Sequence, residues 1–384
     1  MSRAGSIKRD ASGRWAFVVD TTPPGAARRR QVRKRGFATK RVAQEALTAT
    51  LAEVQSGGFV APERVTVGEY LQRWLDGLTT VGLRPSTIDG YRWLIARYLP
   101  EDLGAVRLQD LGAVDLDRLY SALLAGGGRN GRALSPRTVR YLHVVIGKAM
   151  SDAERKGLVV RNIARLASPP SMTSARSPEM TVWTPAETKV FLLAVADHHH
   201  GVLWHVSAMT GLRRGEVCGL QWSDIDLDRG VLQVRRALVV SGQRVIEGEP
   251  KTRRSRRTVN LDPGTVTSLR AHRRTQLEQR MMVGAGFTDR GFVFCSPEGQ
   301  PWHPGVVGRA FTRKVRSMPE LPQIRMHDLR HGHASHLLAA GVNVKVVSER
   351  LGHASTSFTL DTYGHVLPGQ QADAAAAAAS LVGL

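Results

Sequence analysis

His327-Asp328-Leu329-Arg330-His331-Gly332-His333, with His336 just beyond, is the densest polar constellation in the chain. His327 and Arg330 stand three residues apart, a spacing that puts both on one face of a helix. Two potential cations side by side repel, so the pair makes poor sense as a structural contact; an anion set between them removes the conflict. A phosphodiester is such an anion, and a guanidinium offers it a two-pronged fork of donors. A metal reading competes, because His327 and His331 at i and i+4 can face one ion. Against it, no acidic residue completes a His-Glu-x-x-His arrangement, and His198-His199-His200 falls in an apparent loop. Taken alone, the stretch is also explained by capping or core histidines.

The same logic applies upstream. In Thr210-Gly211-Leu212-Arg213-Arg214-Gly215-Glu216 a glycine turn delivers an arginine to a helix start, where Glu216 can orient it. Lys251 follows in a hairpin region, and after the histidine-rich stretch come Leu351-Gly352-His353 and Asp361-Thr362-Tyr363-Gly364-His365. A tyrosine near a helix end is ordinarily a core residue. Its place at the end of this series is what singles out Tyr363.

Charge agrees with an anionic partner. The 384 residues carry 54 Lys plus Arg against 33 Asp plus Glu, a formal charge of +21. The excess is spread along the chain: +8 over residues 1–60, +6 over 61–177 and +7 beyond. Nucleic acid fits this best, although acidic membranes or ribosomal RNA also attract basic chains. A 42% hydrophobic content excludes disorder as the main state, and two cysteines exclude a disulfide framework or a multi-cysteine zinc module. No run approaches 18 apolar residues and the first ten residues are polar. The expectation is therefore a soluble protein, cytoplasmic and DNA-associated in a bacterium, with no membrane partner.

The length allows two or three domains at roughly 150 residues each. Residues 1–60 read as a three-stranded sheet plus one helix: Trp15, Phe17 and Val19 alternate, a basic strand covers Arg28 to Arg35, and Thr39 caps a helix to Gln55. Residues 61–168 read as a four-helix bundle, with helices over Val67–Leu78, from Ser86 with Asp89 in capping-box position, over Asp115–Leu124, and from Ser135-Pro136 to Gly157. A Ser- and Pro-rich linker covers 169–182. Residues 183–370 mix helices with strands at Val231–Val240 and Arg256–Leu261, with Gly242 and Gly248 in the turn between them. An Ala-rich tail, 371–384, is either a helix docking on a neighbouring subunit or a frayed end. The fold class is multi-domain and mainly α with small β-sheets.

In this order, Arg213 in its glycine turn, Lys251, His-x-x-Arg, Leu-Gly-His and the terminal tyrosine resemble the tyrosine recombinase family, the phage integrases of the lambda type. The resemblance covers about Trp183 to Val366. It implies Arg213 and Arg330 as catalytic arginines, Lys251 as the hairpin lysine, His327 and His353 as the histidines, and Tyr363 as nucleophile, with no metal or other cofactor. It implies a β-rich arm-binding domain, a helical core-binding domain and an α+β catalytic domain. It further implies a site-specific recombinase that integrates or excises a phage or mobile element through a 3′-phosphotyrosine intermediate. Its partners would be double-stranded DNA attachment sites, held by a homo-tetramer on DNA, with room for an accessory DNA-bending or directionality protein. Tyr363 would attack phosphorus, His327 would accept its proton and Lys251 would protonate the leaving oxygen. Other DNA contacts expected are Arg28, Arg29, Arg30, Arg33, Lys34 and Arg35 on the first sheet, Arg92 on the second bundle helix, and Arg137, Arg140 and Lys148 on the last. Competing readings are a chromosome-dimer-resolving recombinase, a type IB topoisomerase and a DNA-binding protein with a decayed site.

Overall fold

Helices begin where a short polar side chain precedes an apolar periodic run. Thr66, Ser135, Thr184, Asp262, Asn343 and Ser355 each accept a hydrogen bond from a backbone amide of the first turn that follows. At Thr66 and Thr184 a glutamate three residues on, Glu69 and Glu187, returns the bond to the cap's own amide. The computed structural model describes residues 5–22, 31–55, 59–60, 63–175, 180–242, 244–248, 256–364 and 370–383, which fall into two units, Met1–Ser177 and Pro178–Leu384.

The first unit opens with an antiparallel sheet in the order β1 (Ser6–Arg9), β2 (Trp15–Asp20), β3 (Gln31–Phe37), followed by α1 (Lys40–Gln55). Phe17 and Val19 face Leu47 of α1. Their register partners Lys34 and Val32 lie on that face, whereas Arg33 and Arg35, opposite Val18 and Ala16, lie on the other. Of the basic strand expected over Arg28–Arg35, Gln31–Arg35 lies in β3; Arg28, Arg29 and Arg30 lie outside the described residues.

Helices α2 (Val67–Gly77), α3 (Pro85–Tyr98), α5 (Ala113–Ala125) and α6 (Pro136–Arg155) share one core, with the short α4 (Glu101–Ala105) between α3 and α5. Ser86 does not cap α3. Arg84 is the cap residue and Pro85 takes the first helical position, because its missing N–H costs nothing there and its φ is already helical. Within the core, Tyr70 Oη donates across to the Ala149 carbonyl at 3.0 Å and contacts Asp152 Oδ2 at 3.1 Å, tying α2 to α6.

In the second unit α7 (Pro185–Ala194), α8 (Gly201–Thr210) and α9 (Arg214–Cys218) precede β4 (Ile225–Asp226), β5 (Val231–Val234), β6 (Ala237–Ser241), β7 (Arg244–Gly248) and β8 (Arg257–Asn260). The strand expected over Val231–Val240 is two strands in different sheets: β5 lies between β4 and β8, and β6 pairs with β7. The break falls at Arg235-Arg236, where Arg236 turns away to the buried Asp224 carboxylate. Gly242 turns β6 into β7 with φ 58°, but Gly248 ends a strand rather than forming a turn. Then follow α10 (Pro263–Val283), α11 (Pro304–Arg316), α12 (Asp328–Ala339), α13 (Val344–Leu351), α14 (Thr356–Tyr363) and α15 (Gln370–Val382). Among the described residues no helix is long and apolar enough to cross a membrane.

Tyr70→Phe leaves the ring in place and deletes both hydrogen bonds of the hydroxyl, so α6 should lose about 1 kcal/mol of protection. Hydrogen exchange at the α6 amides reads this directly, and unchanged rates would show the Tyr70 bridge to be energetically idle.

Candidate active site

Two helices end in a left-handed glycine, α8 at Gly211 (φ 65°) and α13 at Gly352 (φ 66°). A Cβ on Gly211 would sit 2.6 Å from Leu351 Cδ2 and 2.8 Å from a His333 ring carbon, so close packing as well as φ demands glycine there.

The last carbonyls of a helix lack partners inside it and carry the negative end of its dipole. At the end of α13 three successive carbonyls each take one arginine. Arg350 O accepts from Arg257 Nε at 2.6 Å, Leu351 O from Arg330 Nη2 at 2.6 Å, and Gly352 O from Arg213 Nη2 at 3.2 Å. Arg330 reaches the Gly211 carbonyl with its other nitrogen at 2.7 Å. Glu216 completes the cluster: its carboxylate is 2.8 Å from Arg213 Nη1 and 2.9 Å from Arg257 Nη2. Burial pushes the Glu216 carboxyl up, but Arg257 and Arg213 outweigh it and hold it below the usual range. Arg330 is 3% exposed, and burial followed by repulsion from Arg213 brings it down to about 9.

Tyr363 closes the other side. Its ring is buried at the end of α14 beside Leu338, Val347 and Leu351, and lies nearly parallel to His353, centroids 6.3 Å apart. His353 Nδ1 is 2.8 Å from Thr359 Oγ1; burial and the three arginines hold its imidazole down to about 3, hence neutral. Burial raises the Tyr363 phenol to about 12, against a lesser opposing pull from Arg330. Its hydroxyl lies 2.6 Å from His331 Nδ1.

His327 stands just before α12 with an exposed edge, in edge-to-face contact with His331 at 5.0 Å. It lines an open concavity of about 550 Å³ together with Arg214, Gly305, Gly308, Arg309 and Arg325. Desolvation by the surrounding protein, then the neighbours His331 and Arg330, hold its imidazole down to about 4.

The structure thus brings Arg213, Glu216, Arg330, His353 and Tyr363 together, with His327 at the margin; Lys251 lies outside the described residues. The imidazole on the tyrosine hydroxyl is His331, where the sequence reading had put His327. His333 and His336 have structural partners, Arg350 Nε at 3.0 Å and the Trp183 carbonyl at 2.8 Å. Among the described residues no three His, Cys, Asp or Glu side chains converge as a metal site. Sequence reasoning missed Arg257, one of four arginines around Lys251 whose spacing gave no sign of which turns inward, and Thr359.

The DNA contacts expected in the first unit are less uniform. Arg33 and Arg35 are exposed on the sheet face away from α1, but Lys34 points at α1, 3.4 Å from Thr50 Oγ1. Arg92 pairs with Asp76 at 3.3 Å and Asp89 at 3.6 Å. Arg140 donates to the Pro170 carbonyl at 2.7 Å, and Lys148 to Tyr91 Oη at 2.7 Å, whereas Arg137 is exposed.

Residues 191–369 match the model of the phage integrase family. A tyrosine recombinase XerC-like protein of Caldanaerobacter subterraneus is 26% identical over 352 residues, 88% of each chain, and an integrase of Streptomyces ambofaciens is 28% identical over 345 residues, 87% of this chain and 85% of the relative. By these matches the chain resembles the tyrosine recombinases. The Tn1549 transposon integrase, solved with a circular intermediate DNA, shares the fold at a TM-score of 0.64, with 20% identity over 78% of this chain and 95% of that one. A lambda integrase dimer on a core site does so at 0.56, with 16% identity over 93% and 94%. The protein is mainly helical with small antiparallel sheets, as expected of its fold class from the sequence.

Removing Glu216 takes the carboxylate away from the buried Arg257 guanidinium, so Glu216→Ala should cost about 3–5 kcal/mol of stability. The carboxyl's folded pKa lies below its unfolded value. Its contribution is therefore present above the unfolded pKa and lost as pH falls through the folded one. Urea unfolding from neutral to acid pH should show wild type losing its advantage over Glu216→Gln in acid; parallel profiles would rule out the linkage.

Proposed function

We propose that this protein is a tyrosine recombinase that cuts and rejoins DNA at specific sites, integrating or excising a phage or mobile element, with Tyr363 as nucleophile and a 3′-phosphotyrosine intermediate. The carrying observation is the arginine cluster facing a buried tyrosine. Attack on a phosphodiester meets negative charge that grows in the pentavalent transition state, and Arg213 and Arg330 are placed to neutralise it on the non-bridging oxygens. That work needs no metal when two guanidiniums perform it. His353, with Nδ1 turned to Thr359, keeps Nε2 for a phosphate oxygen. Lys251 would protonate the departing 5′ oxygen, and His327, on its basic concavity, would contact the backbone near the scissile phosphate.

The phosphotyrosine ester conserves the energy of the broken strand, so a 5′-hydroxyl from a second duplex reseals it without ATP. Exchange between two duplexes calls for a tetramer on DNA, and the attachment sites are the substrate. Within the chain, we assign residues 1–60 to arm-site binding, 61–168 to core-site binding and 183–370 to catalysis, with 169–182 as linker and 371–384 as tail. The lambda integrase tetramer solved on a Holliday junction supports this reading by likeness of fold. The complete set of Arg213, Arg330, His353 and Tyr363 favours a working enzyme over a decayed binding protein, which needs charge but no buried nucleophile.

A nicked suicide duplex carrying the element's own attachment site, incubated without magnesium or ATP, should give a covalent protein–DNA band that survives denaturant and is absent from Tyr363→Phe. Tight binding with no band from wild type would sink the recombination reading. For the first sheet, Arg33→Ala/Arg35→Ala should lower affinity for arm-type DNA and flatten the log affinity–log salt slope by about 2. An unchanged slope would remove this face from the DNA contacts.

A further inference from the structure

Resting on the nucleophile assignment above, the geometry points to His331 as the base that takes the Tyr363 proton during strand cleavage. The phenol oxygen and His331 Nδ1 are 2.6 Å apart, within reach for direct transfer to a reacting atom. His331 lies on the first turn of α12, directly after Arg330, so the helix that presents a phosphate-binding arginine also presents the acceptor for the nucleophile's proton. Tyr363 is 1% exposed, its ring against the plane of His353, which restricts water as an alternative acceptor.

The need for a base follows from the same burial. A phenol raised to about 12 is ionised to only roughly one part in 10⁵ at neutral pH. His331 is suited to accept because it is held neutral. Burial lowers its pKa first; Arg330 and Arg325 lower it further, and Asp328 opposes them without reversing the direction. His327, edge-on to the ring, is itself held neutral and adds no fixed positive charge. The step then balances: Tyr363 Oη bonds to phosphorus, its proton passes to His331 Nδ1, the bond from phosphorus to the 5′ oxygen breaks, and that oxygen takes a proton from an acid such as the Lys251 ammonium. Rejoining runs the transfers in reverse, with the imidazolium of His331 returning its proton to the departing phenolate.

Two measurements test this. In the full chain without DNA, ¹⁵N shifts of His331, assigned by its loss in His331→Gln, should report a neutral ring with the proton on Nε2 and Nδ1 free to accept. A ring protonated on Nδ1 at neutral pH would overturn the inference whatever the enzyme does. In single-turnover cleavage, duplexes with oxygen or sulfur at the scissile 5′ bridging position separate base from acid, because a thiolate leaves without a proton. His331→Ala and His331→Gln should bind the duplex as wild type does and cleave both substrates about 10²-fold slower or worse. Glutamine keeps a hydrogen-bonding group beside the hydroxyl but cannot take the proton, so wild-type rates in His331→Gln would reduce His331 to a positioning residue. Full rescue by sulfur would move it to the leaving-group side. Wild type that binds but forms no covalent link on either substrate defeats the nucleophile assignment and the inference with it; normal linkage by both wild type and His331→Gln defeats the inference alone.

Discussion

Three guanidiniums held on three consecutive carbonyls at the end of one short helix are the constraint on which the site depends. Arg257, Arg330 and Arg213 meet Arg350 O, Leu351 O and Gly352 O in turn. Gathering like charges in a partly dry site is costly, and in water such a cluster would fly apart. Here the helix dipole, the unpaired terminal carbonyls and the Glu216 carboxylate offset that cost during folding. The anion-binding geometry therefore exists before any anion arrives, and little reorganisation remains when charge develops on a phosphate. Glycine at 352 is what lets α13 stop with its last carbonyls turned to the arginines, and glycine at 211 lets α8 end close enough to add a fourth.

Opposite the arginines the chemistry inverts. His353, His331 and His327 are all held below their ordinary values, and Tyr363 above its own. Burial causes both effects, because it disfavours an imidazolium and a phenolate alike; cationic neighbours add to the first, and Arg330 weakly opposes the second. The site is thus divided into charged guanidiniums on one side and neutral, proton-exchanging groups around the tyrosine on the other. Arg330 keeps its charge because a guanidinium starts so far above neutrality that even at about 9 it remains protonated.

Much of this was legible in the sequence because motifs and caps are local. Ser135 with Pro136 announces its helix, and Gly211, Arg213 and Glu216 lie close in sequence and meet in space. The order of the polar motifs carried the family. What was not legible depends on long-range closure. Nothing near Arg257 says that it reaches the end of α13, 93 residues away. The choice between His327 and His331 rests on how α12 is rotated against α14, which Tyr363 decides and no i, i+3 rule contains. Val231–Val240 reads as one strand because its alternation continues across Arg235-Arg236; the buried Asp224 carboxylate, twelve residues before Arg236, draws that side chain away there.

The arginine cluster also implies where sequence recognition is absent. Guanidiniums pinned by backbone carbonyls present their remaining donors in fixed directions suited to phosphate oxygens, which are alike at every base pair, so contacts of this kind position a duplex without identifying it. A site-specific enzyme built on such a centre must read bases with other surfaces. Of the described basic groups expected to touch DNA in the first unit, Arg92, Arg140 and Lys148 are held by protein partners, Lys34 turns toward its own helix and Arg137 is exposed on α6. Arg33 and Arg35 remain on an open sheet face beside the small side chains Ala16 and Val18. A face of that kind, cationic at two positions and low in profile between them, can approach base edges in a groove. Under the proposed function, the carbonyl-held geometry of the arginines would call for a division of labour between a sequence-blind centre and a separate reading surface.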